Sequence, residues 1–246
     1  MRKLFLLGAL ALALPALVVA FKLPPMALGP YVGAYLLDCT TINNEVLCVN
    51  ADPSLGVAPL FGTDLKLYLP ENYYSEITIG YSTQKTEAGD FSTSSLTSLP
   101  DSTTHTSGIL VLLPLSLTLG RDFKLMPKLW GSAGLLVGYT WAAVTIDSQA
   151  IYSGGIHYDS HTVGRGGDPF LGFKLGIDLY VHRNVDVSVS FGYRYGDITE
   201  LTVREADRAE RIGSTIKYFD KATNTEKPLP LEISNPILCY AIKYRF

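Results

Sequence analysis

The feature that most constrains this chain is the way its connections are sorted by length. Eight segments alternate apolar and polar side chains with period two: 29–37, 57–69, 75–85, 108–119, 128–147, 167–181, 185–196 and 231–246. That period marks strands with two unlike faces. Residues 70–74, 120–127 and 182–184 between them are short turns, residues 38–56, 86–107, 148–166 and 197–229 are long, and the two kinds alternate strictly. A soluble sandwich also alternates its side chains, but it has no reason to sort its loops, and connections beyond about 12–15 residues are uncommon in it. Short turns on one rim and long loops on the other are the layout of a membrane-spanning barrel. The expected fold class is therefore all-β, an eight-stranded antiparallel up-and-down transmembrane β-barrel. An even strand number brings both termini to one side.

The faces agree from strand to strand. Leu238, Tyr240, Ile242, Tyr244 and Phe246 share one side of the last segment, in step with Ile77 and Ile79, Leu113 to Leu119, Leu171 to Leu179 and Val185 to Tyr195 at alternate positions. The opposite sides carry Asp, Glu, Lys, Ser and Thr, which assigns the apolar face to lipid and the polar one to a lumen. Each segment reaches or nearly reaches the ~9–11 residues that cross a bilayer as a tilted strand. Tyr68, Trp130, Tyr180, Tyr244 and Phe246 near the turns, with Tyr35, Tyr139, Trp141, Tyr193 and Tyr195 toward the loops, are read as two interfacial girdles. Pro114, in mid-segment, removes a ladder donor, and a local bulge is expected there.

The first twenty residues have the pattern of a secretory signal peptide: Arg2 and Lys3, an apolar run from Leu4 to Leu14, and Val18-Val19-Ala20 as a cleavage site. Residues 1–20 are thus expected to be removed, leaving 21–246 as one barrel domain. Removal leaves 18 basic against 23 acidic side chains, a net charge of −5, so nothing basic argues for nucleic acid. Export permits disulfides, and Cys39 and Cys48 in one polar segment are expected to pair. Cys239 is read as a small buried hydrophobe.

The opening strand Gly29-Pro30-Tyr31-Val32-Gly33-Ala34-Tyr35, the aromatic-alternating end with terminal Phe246, and the signal peptide together resemble the small bacterial outer-membrane β-barrels. That class includes the OmpA membrane domain, OmpX and OmpW. The resemblance implies a bacterial outer-membrane location with both termini periplasmic, and outer-membrane lipid and lipopolysaccharide as surroundings. It also implies that Tyr244-Arg245-Phe246 is presented to the barrel-assembly machinery. It specifies no activity.

With the N-terminus periplasmic, strand direction divides the lumen. Asp64, Lys66, Glu76, Lys174, Asp178, Asp186, Lys243 and Arg245 fall in the periplasmic half, four acids and four bases that can neutralise one another as a charge plug. Leu60, Leu110, Leu112, Phe170, Ile237 and Cys239 fall in the extracellular half, with Arg194 the exception among them. Eight strands enclose room for side chains or one small ligand, so a wide pore is not expected. The apolar half is either packed by its own side chains or, as resemblance to OmpW implies, a pocket for a small hydrophobic molecule that leaves sideways into the membrane.

Other motifs are weaker. Asp207 and Arg211 stand at helical spacing in a polar loop, read as a short surface helix or strand extension. His157, Asp159 and His161 share a face if extended, but a solvated loop tip is the plainer reading, and neither a metal nor a cofactor is expected. No nucleophile, base and orienting acid are set in register. The leading expectation is a monomeric, non-enzymatic barrel that stabilises the envelope and displays its loops. The alternatives are binding or passage of small hydrophobic molecules, a lipid-modifying barrel enzyme, and a periplasmic ligand-binding barrel.

Overall fold

A computed structural model of the chain describes residues 24–37, 56–87, 91–93, 102–152, 157–220, 223 and 225–246. Residues 1–20, Cys39 and Cys48 lie outside the described residues. Eight strands close one ring: β1 Met26–Leu36, β2 Val57–Tyr68, β3 Tyr73–Glu87, β4 Ser102–Met126, β5 Leu129–Tyr152, β6 His157–His182, β7 Val185–Tyr195 and β8 Asn235–Arg245. Every neighbour is antiparallel and next in sequence, and β1 pairs with β8 to complete the ring. Met26 and Phe246 exchange backbone hydrogen bonds, 3.2 and 3.0 Å, so the first and last strands meet at the short-turn rim.

The short connections are tighter than the sequence suggests. The turn between β4 and β5 is only 127–128, because the strands run on through 120–126. Pro70–Asn72 form one 3-10 turn between β2 and β3, with Glu71 and Asn72 in the left-handed region.

On the opposite rim the strands overrun the expected loops. β4, β5 and β6 are 25, 24 and 26 residues long, more than twice what a bilayer needs. Residues 102–107, 148–152 and 157–166, expected to be loop, thus supply strand to an extension standing beyond the membrane. Phe91–Thr93 pairs with its β4 edge and Thr202–Ala206 with its β6 edge. Both edges are thereby covered where exposed backbone would invite aggregation.

Outward positions are exposed and apolar around the ring, among them Ile79, Leu135, Leu171, Tyr195 and Ile242, each at 60% or more of its free surface. Exposed apolar area on this scale is a lipid-facing surface. The aromatic assignment needs correction. Tyr139, Trp141, Tyr193, Tyr195 and Tyr244 lie outward, whereas Tyr35, Tyr68 and Tyr180 carry the inward parity and contact lumen side chains.

Pro114 makes no bulge. The β3–β4 register is the same on both sides of it, Ile79 opposite Leu115 and Ser82 opposite Leu112, and the ladder is interrupted between those pairs. Gly80 lies opposite, and a Cβ there would come within 2.9 Å of the Pro114 ring. A glycine thus takes up the proline without shifting the strand.

The segment after β7 turns inward. Asp197–Ile198 pairs with Leu231–Glu232, Ile216 N–H bonds the Leu201 carbonyl (2.7 Å), and Leu229 N–H bonds the Ile216 carbonyl (2.9 Å). Ile198, Leu201, Leu229 and Leu231 are fully buried. Their seat on β6 is glycine: a Cβ at Gly166 would overlap the Glu200 carbonyl oxygen and press on Ile198 and Leu201. The described residues of 197–233 therefore form a docked cap. Gly166→Val should undock it while the ring stays closed, read as faster trypsin cleavage at Arg204, Arg208 and Arg211 with unchanged heat-modifiable gel mobility.

Candidate functional site

Period two sends every second side chain of each strand into the lumen, and near the short turns these side chains are charged. Lys66 of β2 donates to Asp122 of β4 at 2.8 Å and Asp178 of β6 at 3.0 Å. Lys243 of β8 donates to Glu76 of β3 at 2.8 Å and stands 3.6 Å from Asp64, which also accepts from Thr78 at 2.8 Å. The second Glu76 oxygen accepts from Lys174 of β6. Arg245 donates through Nε to Asp186 of β7 at 2.6 Å, with its guanidinium 3.7 Å over the Tyr180 ring and 4.9 Å over Tyr68.

The structure thus brings together all eight residues singled out from the sequence for the charged half. Asp64, Lys66, Glu76, Asp178, Asp186 and Lys243 are buried, while Lys174 and Arg245 are partly so. Asp122 joins them although residues 120–127 read as a turn in the sequence. Its parity with Ser116 and Thr118 was the available signal, and Asp122 is buried with them. Ions taken from water at this depth persist only when paired, and each base here meets at least one acid.

Above the charges the lumen is apolar. Leu60, Leu110, Leu112, Phe170 and Ile237 are buried in one cluster, and Cys239, a free thiol, is partly buried against it. The same cluster continues into the cap through Ile198, Leu201, Val203, Ile216, Leu229, Leu231 and Ile233. Most of these fall in 197–229, which reads as a polar loop in the sequence. Eight branched aliphatic residues between 198 and 233, all but Ile212 in this cluster, are the signal in the sequence.

Arg194 is the odd group at the boundary. It is buried, bonds the Tyr35 hydroxyl, and lies between the Tyr35 and Phe170 rings at 4.9 and 4.5 Å. Below it a cavity of about 40 Å³ separates the apolar cluster from the charges.

A second cluster lies on the extension, outside the membrane-spanning part. His161 donates from its ring to Asp147 at 2.6 Å, and its backbone N–H donates to Asp207 at 2.5 Å. Asp207 is thereby the tie between the cap and β6, in a region of strand and 3-10 turn rather than α-helix. His157 and Asp159 are exposed, and among the described residues no three side chains form a metal-binding group.

No protein-family model matches the sequence, and no curated protein matches it. Among solved structures the chain is similar to the outer membrane protein OprG from Pseudomonas aeruginosa, with a TM-score of 0.50 and 9% identity over 91% of this chain and 96% of that one. It is also similar to Ail, the attachment invasion locus protein of Yersinia pestis, at 0.42 and 11% over 90% and 97%. The N-terminal β-barrel domain of Pseudomonas aeruginosa OprF follows at 0.37 and 13% over 91% and 98%. The chain has the fold of the small eight-stranded bacterial outer-membrane β-barrels. At such identities the likeness concerns the fold alone.

Two outcomes follow from this geometry. Lys66→Met strands two buried carboxylates and should destabilise the barrel by about 3–5 kcal/mol, read as a lower urea midpoint. Adding Asp122→Asn and Asp178→Asn should restore much of the loss. For His161, the hydrogen bond to Asp147 raises the imidazole pKa above its ordinary value of about 6.5. A raised folded value means that the contribution is whole below about pH 6.5 and is lost as pH climbs through the folded pKa. Trypsin cleavage of the cap should therefore quicken from about pH 6 to pH 9, with a flat profile in His161→Gln.

Proposed function

We propose that this protein is a monomeric, non-enzymatic barrel of the bacterial outer membrane, with both termini periplasmic, that serves the envelope structurally and presents its extension for surface contacts. The observation that carries this reading is closure of the lumen at two levels. Paired charges from six strands fill the turn-side half, and the cap completes an apolar seal above them. Such an interior leaves side chains where a wide water path would run, and the extension offers the outer rim a broad paired sheet. Lipid and lipopolysaccharide are the partners its exposed apolar belt fits, and Phe246, beside Met26 at the closing seam, suits presentation to the assembly machinery.

A second reading, passage of small hydrophobic molecules through the upper lumen, is favoured by one observation. The β3–β4 ladder is interrupted at Gly80–Tyr81 opposite Leu113–Pro114, beside Leu60 of the apolar cluster. A sideways exit would use that interruption.

Planar-bilayer recording tests the first reading: the pure protein should give no large stable conductance steps, and large steps would contradict it. For the second, a disulfide joining Tyr81→Cys to Leu113→Cys should abolish uptake of a small apolar dye into proteoliposomes. Equal or absent uptake with and without the crosslink would remove that reading.

A further inference from the structure

The cavity between the apolar cluster and the charges is lined by groups that ask for a negative charge. Arg194 lines it with only 4% of its surface exposed, and no described carboxylate lies within ion-pair distance. Among the described residues its one hydrogen bond is to a neutral phenol, Tyr35, and its Nε has no partner. A guanidinium buried this deeply is costly unless something compensates its charge.

The rest of the lining has the same bias. Tyr31 and Ser116 both line the cavity, and the Oη of one and the Oγ of the other are buried without a partner among the described residues. With Arg194, whose Nε can only donate, three residues lining one small space each carry an unsatisfied group able to donate. The charges on the wall are Lys174 and Arg194 against Asp64, a positive excess. Asp64 is already engaged by Thr78 and Lys243, and Lys174 by Glu76, so Arg194 is the one left over. Tyr31 is held in place by two glycines: a Cβ at Gly62 would sit 2.5 Å from its ring, and one at Gly80 would sit 2.5 Å from its hydroxyl.

Size narrows the ligand. A space of about 40 Å³ holds roughly three waters and no acyl chain. We propose that this cavity is a binding site for one small monovalent anion of halide size, held by Arg194, Tyr31 and Ser116. The anion supplies the charge that lets Arg194 stay buried between the cap and the plug. The inference stands apart from the proposed function, since a closed structural barrel and a conduit would both need Arg194 compensated.

Bromide is the probe, because it scatters anomalously. Crystals of the full mature chain grown in sodium bromide should show one anomalous peak within hydrogen-bond reach of Arg194 and Tyr31. In solution, replacing gluconate by bromide at constant ionic strength should raise the thermal midpoint saturably, as a ligand of the folded state does. Arg194→Gln should lose that rise. Tyr31→Phe, which removes a single donor and keeps the ring on its glycines, should raise the half-saturating bromide concentration by about tenfold. It carries the test if Arg194→Gln does not refold. Overturning results would be a cavity holding water alone in bromide-grown crystals, or a midpoint equal in bromide and gluconate. A rise undiminished in Arg194→Gln or Tyr31→Phe would overturn it as well.

Discussion

Lys243 sits on the last strand and reaches Glu76 on the third, 167 residues away in sequence. No local structure brings those strands together, and the contact exists only because β8 closes onto β1. The same closure sets Arg245 against Asp186. Register is what these pairs depend on: a slip of one residue in β8 would turn both bases toward lipid and Tyr244 inward. A Lys or Arg facing lipid costs from about 0–1 kcal/mol near the interface to about 2–4 kcal/mol at the midplane, and the acids left inside would add their own penalty. The ion pairs therefore make the correct closure much better than its neighbours, whatever their net contribution to stability.

The rest of the interior is arranged around that layer. An eight-stranded ring has a lumen of side-chain width, so what the charges do not fill must be filled by something else. In the other half the barrel's own Leu60, Leu110, Leu112 and Phe170 form one cluster with the cap's aliphatic side chains. Glycines at 164 and 166 leave the room that docking needs. Because Thr202–Ala206 joins the β6 edge, the cap is also tied to the extension, and the His161–Asp147–Asp207 contacts lie at that tie. Surface chemistry and lumen closure are thus mechanically joined on one strand.

The strand period and the sorted connections made the ring, its strand number and its lipid face legible in the sequence, because lipid demands an apolar residue at every second position. Where that demand ends, legibility ends too. The outer parts of β4 to β6 lie in water, so Thr103 to Ser107, Ser148 to Tyr152 and His157 to Ser160 lack an apolar stripe and read as loop. Parity identified the eight charged residues but stopped short of Asp122, since a turn seemed to begin two residues earlier. Aromatic content alone could not separate a membrane-interface tyrosine from Tyr35, Tyr68 or Tyr180, whose partners are Arg194, Asp186 and Arg245. The cap was least visible, because its aliphatic residues follow neither period and bury themselves by tertiary docking.

Cys239 gives direct access to the central claim that the lumen is shut on both sides, since its thiol lies between the plug and the cap. The measurement is labelling by a small charged methanethiosulfonate in proteoliposomes, with Cys39 and Cys48 replaced by serine and reagent supplied to both faces. The closed barrel predicts a thiol that resists labelling while the protein is folded and reacts only after urea unfolding. Labelling of the folded protein at the rate of the unfolded chain would contradict it.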